Sequence, residues 1–227
     1  MKISTFVASM VLGIMAVGVV VSPSRAEDKP FSTAEKRVFL DNQLGNLGKS
    51  ATLEYTFKRT GTLEAGFDDS VVIEVRDGGK ENGRVVTAAF LTGQRTVSLP
   101  EIPNAEGNPV VMYFLERDVR QMERLTSGKQ NFYRRRVRLA LADTEQVRPV
   151  NIRLDGHEIK ANEITIQPYL NDPLKDRFAK FEKKTYTFIV SDQVPGGVYQ
   201  IRTTVPPADA KDAPLMDEVM TFSKVRK

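Results

Sequence analysis

Residues 108–142 read NPVVMYFLERDVRQMERLTSGKQNFYRRRVRLALA, and their periodicity decides the fold. Pro109 suits the first position of a helix, where a missing N–H costs nothing. Val111, Leu115, Val119 and Met122 recur at i, i+4, i+8 and i+11, which is one face of a helix. Glu116 and Arg120 make an i,i+4 pair in the favourable order. Ser127-Gly128 stops this helix, and Asn131 is placed to cap a second. There Tyr133, Val137, Ala140 and Leu141 align on a helix, while Tyr133, Val137, Leu139 and Leu141 also suit a strand, with Arg135 as the misfit. The Leu, Ala and Arg content favours the helix. A helical insertion over about 109–142 is expected.

Outward from this stretch the period falls to two. Leu53, Tyr55 and Phe57 alternate with Thr52, Glu54, Thr56 and Lys58, a strand with one wet face. Val71, Ile73 and Val75 repeat the pattern, and residues 84–90 and 95–99 complete a meander of about four strands. Asp77-Gly78-Gly79 and Asn82-Gly83 supply the turn chemistry. Upstream, Ser32 and Glu35 form a capping-box start for a short helix bearing Phe39, Leu40 and Leu44, ended by Gly45 and Gly48. Downstream, residues 150–154 and 157–161 flank the hairpin signal Asp155-Gly156. Strands are expected again at 163–169, 185–191, 198–205 and 217–225. Between the first two of these, Asp172 caps a short helix carrying Leu174, Phe178 and Phe181 on one side. This order fits a single α+β domain over 27–227, an antiparallel sheet of about nine strands with helices packed on one face. Two β-rich lobes split near residue 145 are the alternative.

The chain has 227 residues, no Cys, no Trp and one His. Disulfides, thiolate metal sites and multi-His metal centres are thereby excluded. Met1-Lys2, the twelve apolar residues 10–21 (MVLGIMAVGVVV) and Ser24-Arg25-Ala26 have the layout of a signal peptide over residues 1–26. Twelve residues fall short of the about 20 that span a bilayer, and an uncleaved anchor is the alternative. The mature protein is expected in a bacterial periplasm or the medium. Loss of Lys2 and Arg25 takes the net charge from +4 to +2, a poor balance for bulk nucleic-acid binding. No nucleic-acid partner and no cofactor are expected.

Catalytic motifs are weak. Gly45-Asn46-Leu47-Gly48-Lys49-Ser50 imitates a phosphate loop, but two residues separate the glycines where four are needed. It reads as a helix stop. His157 lies beside Asp155 and Glu158 in a hairpin turn and lacks the shielded setting that a catalytic His requires. Asp68 and Asp69 point to opposite faces of a strand, and Glu116 and Asp118 lie about 200° apart on a helix. A hydrolase built on distant carboxylates ranks last.

Charge is uneven. Residues 109–142 carry eight Lys/Arg and three Asp/Glu, so +5, which leaves −3 for the rest of the mature chain. Arg134, Arg135, Arg136 and Arg138 are the densest cluster. They read either as a solvated face or as a patch for phosphate headgroups or an acidic partner. Met112 and Phe114 lie off the first apolar stripe, so the helix either packs in a core or borders a hydrophobic pocket.

The run NQLGNLGKS leading into ATLEYTF, the turns at DGG and ENG, and the α-hairpin NPVVMYFLERDVRQMERL resemble the plan of periplasmic outer-membrane lipoprotein carriers. The stretch from NPVVMYFLERDV through NFYRRRVRLALAD is also similar to that of exported bacterial proteins. The carrier resemblance implies a curved, half-barrel-like sheet lidded by helices, an apolar cavity for acyl chains and no catalysis. No carrier site residue transfers by position; from the residues themselves, Met112, Phe114, Leu115, Val119 and Met122 are the candidates to line a pocket between helix and sheet, and Arg134, Arg135, Arg136 and Arg138 to hold an anionic head. A lipid or a lipoprotein acyl chain is the expected ligand. A cell-envelope protein–protein interaction module is the alternative function.

Overall fold

A computed structural model describes residues 30–48, 50–79 and 83–227. The signal-peptide reading of residues 1–26 lies outside them. The architecture is α+β, built on one open antiparallel sheet of eight strands. These are β1 (Ala51–Thr60), β2 (Phe67–Asp77), β3 (Arg84–Phe90), β4 (Arg148–Leu154), β5 (His157–Ile166), β6 (Thr185–Val190), β7 (Val198–Val205) and β8 (Met216–Arg226). Their order across the sheet is β3-β2-β1-β8-β7-β6-β5-β4. Two meanders thus meet where β1 pairs with β8, Arg59 opposite Glu218 and Phe57 opposite Met220.

The count is eight rather than about nine for two local reasons. Residues 95–99 do not make a strand. Gly93, at φ +57°, opens a 3-10 turn over Gly93–Arg95, and only Val97 then bridges to Phe90. Pro100 follows with no N–H to donate. The two strands expected within 157–169 are instead one continuous strand, β5.

Three helical segments matter. α1 (Thr33–Glu35) starts with Ser32 accepting from the Glu35 N–H and continues as a π-turn over Lys36–Leu40. α2 (Pro109–Leu125) is capped by Asn108, whose side chain accepts from the Val111 N–H. α3 (Gln130–Ala142) follows four residues later, capped at Lys129 without a side-chain bond, so Asn131 is not the cap. The ambiguous segment 131–142 is helix.

α2 is buried on nearly every side, leaving only a strip through Met112, Glu116, Arg120, Glu123 and Arg124 open. Bonds tie it to three strands. The Tyr113 hydroxyl donates to the Val86 carbonyl of β3 at 2.7 Å, Arg117 to Glu218 of β8, and Asp118 accepts from Tyr186 of β6 at 2.6 Å. α3 lies antiparallel to α2, with Arg134 on Glu116, and its Leu141 carbonyl accepts from the Ser32 hydroxyl. Inward side chains of the sheet, such as Leu53, Tyr55, Ile73, Phe188 and Met220, join Phe114, Val119 and Met122 in one core.

Candidate functional site

β1 points Ala51, Leu53, Tyr55 and Phe57 inward, and the next inward position is Arg59. β8 sends Met216, Glu218, Met220 and Phe222 inward. Two charged groups therefore occupy core positions opposite each other. Arg59 Nε donates to Glu218 Oε1 at 2.7 Å. Arg117 of α2 reaches the same carboxylate with both terminal nitrogens, Nη2 at 2.9 Å, and Gln121 Nε2 adds a bond at 3.2 Å. Burial pushes the Glu218 carboxyl up, but the two guanidiniums pull harder and hold its pKa at about 2. The carboxylate stays ionised, and both arginines are fixed by it.

Around this centre lie three further arginines. Arg124 forks onto Glu64 at 2.7 and 2.9 Å, and Glu64 also takes Arg59 at 2.9 Å. The Arg124 hydrogen bond lowers the Glu64 pKa against its partial burial. Arg95 donates to Asp69 at 2.7 Å. Enclosure raises the Asp69 carboxyl, but Arg95, the Ser70 N–H and Thr92 bring it to about 2. Arg120 donates to Glu116 at 3.0 Å and to the Ser98 carbonyl at 2.7 Å.

Aromatic faces stack these cations. The Phe67 ring carries Arg59 at 5.0 Å and Arg95 at 4.8 Å, and it stacks on Phe57 at 5.9 Å. Phe57 carries Arg117 at 5.1 Å. Such contacts add about 0.5–2 kcal/mol each and keep the guanidinium planes ordered. The result is a cleft of about 430 Å³ lined by Arg59, Arg95, Arg117, Arg120 and Arg124 with Phe67, Leu91 and Val97. Leu91 sits at φ +63°, a strained backbone for a branched side chain, and its N–H is held by the Ser70 carbonyl at 3.1 Å. With Arg134, which shares Glu116, six guanidiniums meet the four carboxylates Glu64, Asp69, Glu116 and Glu218, a surplus of two positive charges. Each guanidinium has five N–H donors, more than these pairs use. The arrangement suits an anionic group next to apolar surface.

The residues singled out by sequence fall elsewhere. Phe114, Leu115, Val119 and Met122 are buried in the core and line none of the clefts described here, while Met112 is 47% exposed. Arg134 forks onto Glu116, and Arg136 pairs with Asp172 and covers the Phe132 ring at 5.2 Å. Arg135 and Arg138 are exposed and form no ion pair with another described residue. These nine residues do not converge on one space.

Sequence reasoning missed the cleft residues. The available signals were Arg59 and Glu218 at inward positions of alternating strands, and Arg117, Arg120 and Arg124 three and four apart on one helix.

The other candidates are structural. Arg84 donates to the Leu44 and Leu47 carbonyls and closes the phosphate-loop mimic as a turn. His157 is exposed at the start of β5. Asp68 pairs with Lys58 on the face opposite Asp69. Asp118 is enclosed with Lys184 and Tyr186, whose hydroxyl meets that of Tyr169 at 2.8 Å. Burial raises both tyrosines well above their ordinary range. Among the described residues no group of three or more His, Cys, Asp or Glu is placed to hold a metal ion, and no helix is long and apolar enough to cross a membrane.

No family model and no curated protein matches the chain. Among solved structures, the crystal structure of the Mycobacterium tuberculosis lipoprotein LppX is similar at a TM-score of 0.32 and 12% identity, over 77% of this chain and 85% of that one. A likeness of that size carries no argument about function.

Proposed function

We propose that the chain is a non-catalytic binding protein of the bacterial cell envelope that holds an anionic amphipathic ligand. Its charged head lies among the cleft arginines, and its apolar part lies against Phe67, Leu91 and Val97. The observation that supports this is the convergence of five arginines from β1, α2 and the segment after β3 on one apolar-floored cleft. Ordinary solvated charge does not arrange itself over stacked phenyl rings beside a buried carboxylate. The core beneath α2 is occupied by Phe114, Val119 and Met122, so the ligand is assigned to the open end of that layer.

Calorimetry with dodecyl phosphate, inorganic phosphate and the neutral dodecyl maltoside tests the reading. Dodecyl phosphate is expected to bind tightest, and the neutral detergent not at all. Arg95→Gln with Arg120→Gln should weaken dodecyl phosphate about 10–100-fold, at 1.5–3 kcal/mol per charged hydrogen bond less solvent screening. Equal affinity for the neutral and anionic detergents, or none for either, overturns it.

A second reading, a docking face for an envelope protein, draws on the outer side of α2 and α3. Arg135 and Arg138 are exposed there, next to the 40% exposed Leu139. Charge reversal at Arg135 and Arg138 should abolish an envelope crosslink if that face is used.

A further inference from the structure

The segment between β5 and β6 presents apolar side chains that the fold does not need. Leu170 is 41% exposed and Leu174 is 43% exposed. They are not on a loose loop. Tyr169, the residue before Leu170, is buried and hydrogen-bonded to Tyr186. Asp172 pairs with Arg136, and its Oδ1 accepts from the Leu174 N–H at 2.7 Å. Phe178 and Phe181 are buried at the far end. Tyr169, Asp172, Phe178 and Phe181 thus anchor the segment, and the two leucines lie outward with Asn171 at φ +62° between them. The sequence expectation that Leu174 shares the buried side of Phe178 and Phe181 is corrected here. The segment is a 3-10 run, Lys175–Phe181, kinked at Phe178, so the helical spacing does not apply.

Lys129 and Arg177 line a cleft with Leu174, and more cations follow along the same segment. Lys129, Arg177, Lys180 and Lys183 are exposed and form no ion pair with another described residue. Lys175 is exposed too and holds Glu182 at 2.9 Å. Against these five stand Asp176 and Glu182, since Asp172 is already neutralised by Arg136. Between Leu174 and the ring of Phe132 lies a small apolar cleft of about 80 Å³, floored by Phe178 and flanked by Lys129 and Arg177. Exposed leucines on an anchored turn, in a segment with an excess of exposed Lys and Arg, are complementary to a bilayer surface with anionic headgroups, in which leucines enter the acyl boundary and the cations meet phosphates. A protein partner of opposite charge would leave the leucines to find a matching apolar surface, whereas a bilayer supplies both halves at the right depth.

We propose that residues 170–183 with Lys129 dock the protein on an anionic membrane surface. The surface adjoins the C-terminal end of α2, where the Ser127 hydroxyl meets the Arg177 carbonyl at 3.4 Å, but it shares no residue with the arginine cleft.

Co-sedimentation of the exported protein with phosphatidylcholine vesicles, with and without about 30% phosphatidylglycerol, tests it. Partitioning should rise at least about tenfold with the anionic lipid and collapse near 0.5 M salt, where screening shortens to a few ångströms. Lys180→Gln with Lys183→Gln should lower partitioning about 25-fold, at roughly fivefold per charge. Leu170→Ser with Leu174→Ser should lower it about tenfold with an unchanged melting curve, because both side chains lie at the surface. Equal binding to neutral and anionic vesicles, or identical partitioning of wild type and both variants, overturns the proposal. So does a dimer in solution that Leu174→Ser dissolves, which would give the patch to a second copy. Arg95→Gln with Arg120→Gln should leave vesicle binding intact, so failure of the cleft reading and failure of this one are separate results.

Discussion

α2 and α3 are consecutive helices rich in arginine, yet they use it in opposite ways: α2 balances three arginines with three acids, whereas α3 carries four arginines and no acid. In α3 four arginines crowd into residues 134–138, and most of them face water or a single partner. In α2 the arginines are spaced at 117, 120 and 124, and each is bound into a network with Glu218, Glu116 or Glu64. Density along the sequence therefore does not mark the site. What marks it is convergence: Arg59 and Arg117 are buried on one ionised carboxylate, and Arg59, Arg95 and Arg117 stack on neighbouring phenyl rings, an arrangement that is costly unless fully partnered.

The contrast can be broken first at Glu218. Glu218→Gln leaves Arg117 enclosed with no carboxylate and Arg59 with Glu64 alone, and about 3–5 kcal/mol of stability should be lost, read by urea denaturation. A loss under about 1 kcal/mol would show that water reaches the network freely.

Acid sharpens the same point. The folded Glu218 pKa of about 2 lies below its ordinary value of 4.5, so its contribution is fully present above pH 4.5 and drains away as pH falls toward 2. That drain is about 3 kcal/mol, and the Glu218→Gln protein should show a correspondingly flatter stability profile across the same window. Parallel profiles for the two proteins would remove Glu218 as the titrating group.

The smallest effect belongs to α3. Arg135→Ala with Arg138→Ala should change stability by less than about 0.5 kcal/mol, since both are exposed and unpaired. A larger loss in thermal melts would mean that their stems cover apolar surface after all.

Much of the fold was legible because it is local. Leu53, Tyr55 and Phe57 announce one face of β1, and Asp155-Gly156, with Asp155 at φ +48° and Gly156 at φ +82°, announces the turn between β4 and β5. The breadth of β5 was not legible, because Asn162 and Glu163 interrupt its apolar alternation without ending the hydrogen bonding. Residues 95–99 misled in the other direction: their composition suits a strand, but only one of them finds a partner across β3. The cleft was hidden for a different reason. It draws on positions 59–67, 91–97 and 117–124, and nothing local to any of these says that the other two lie beside it. Arg59 and Glu218 each break an inward apolar pattern, and reading those two breaks as a pair was the step the sequence allowed.

The meeting of β1 with β8 has a consequence for how the chain becomes a protein. β8 follows every other described strand in sequence, yet it lies in the middle of the sheet, bonded to β7 on one side and β1 on the other. Without β8 the two halves have no common seam and Arg117 has no carboxylate, so the sheet is completed only when residues 216–226 return to residues 51–60 across the whole intervening chain. Disrupting β8 would therefore not fray an edge but part the sheet along its centre.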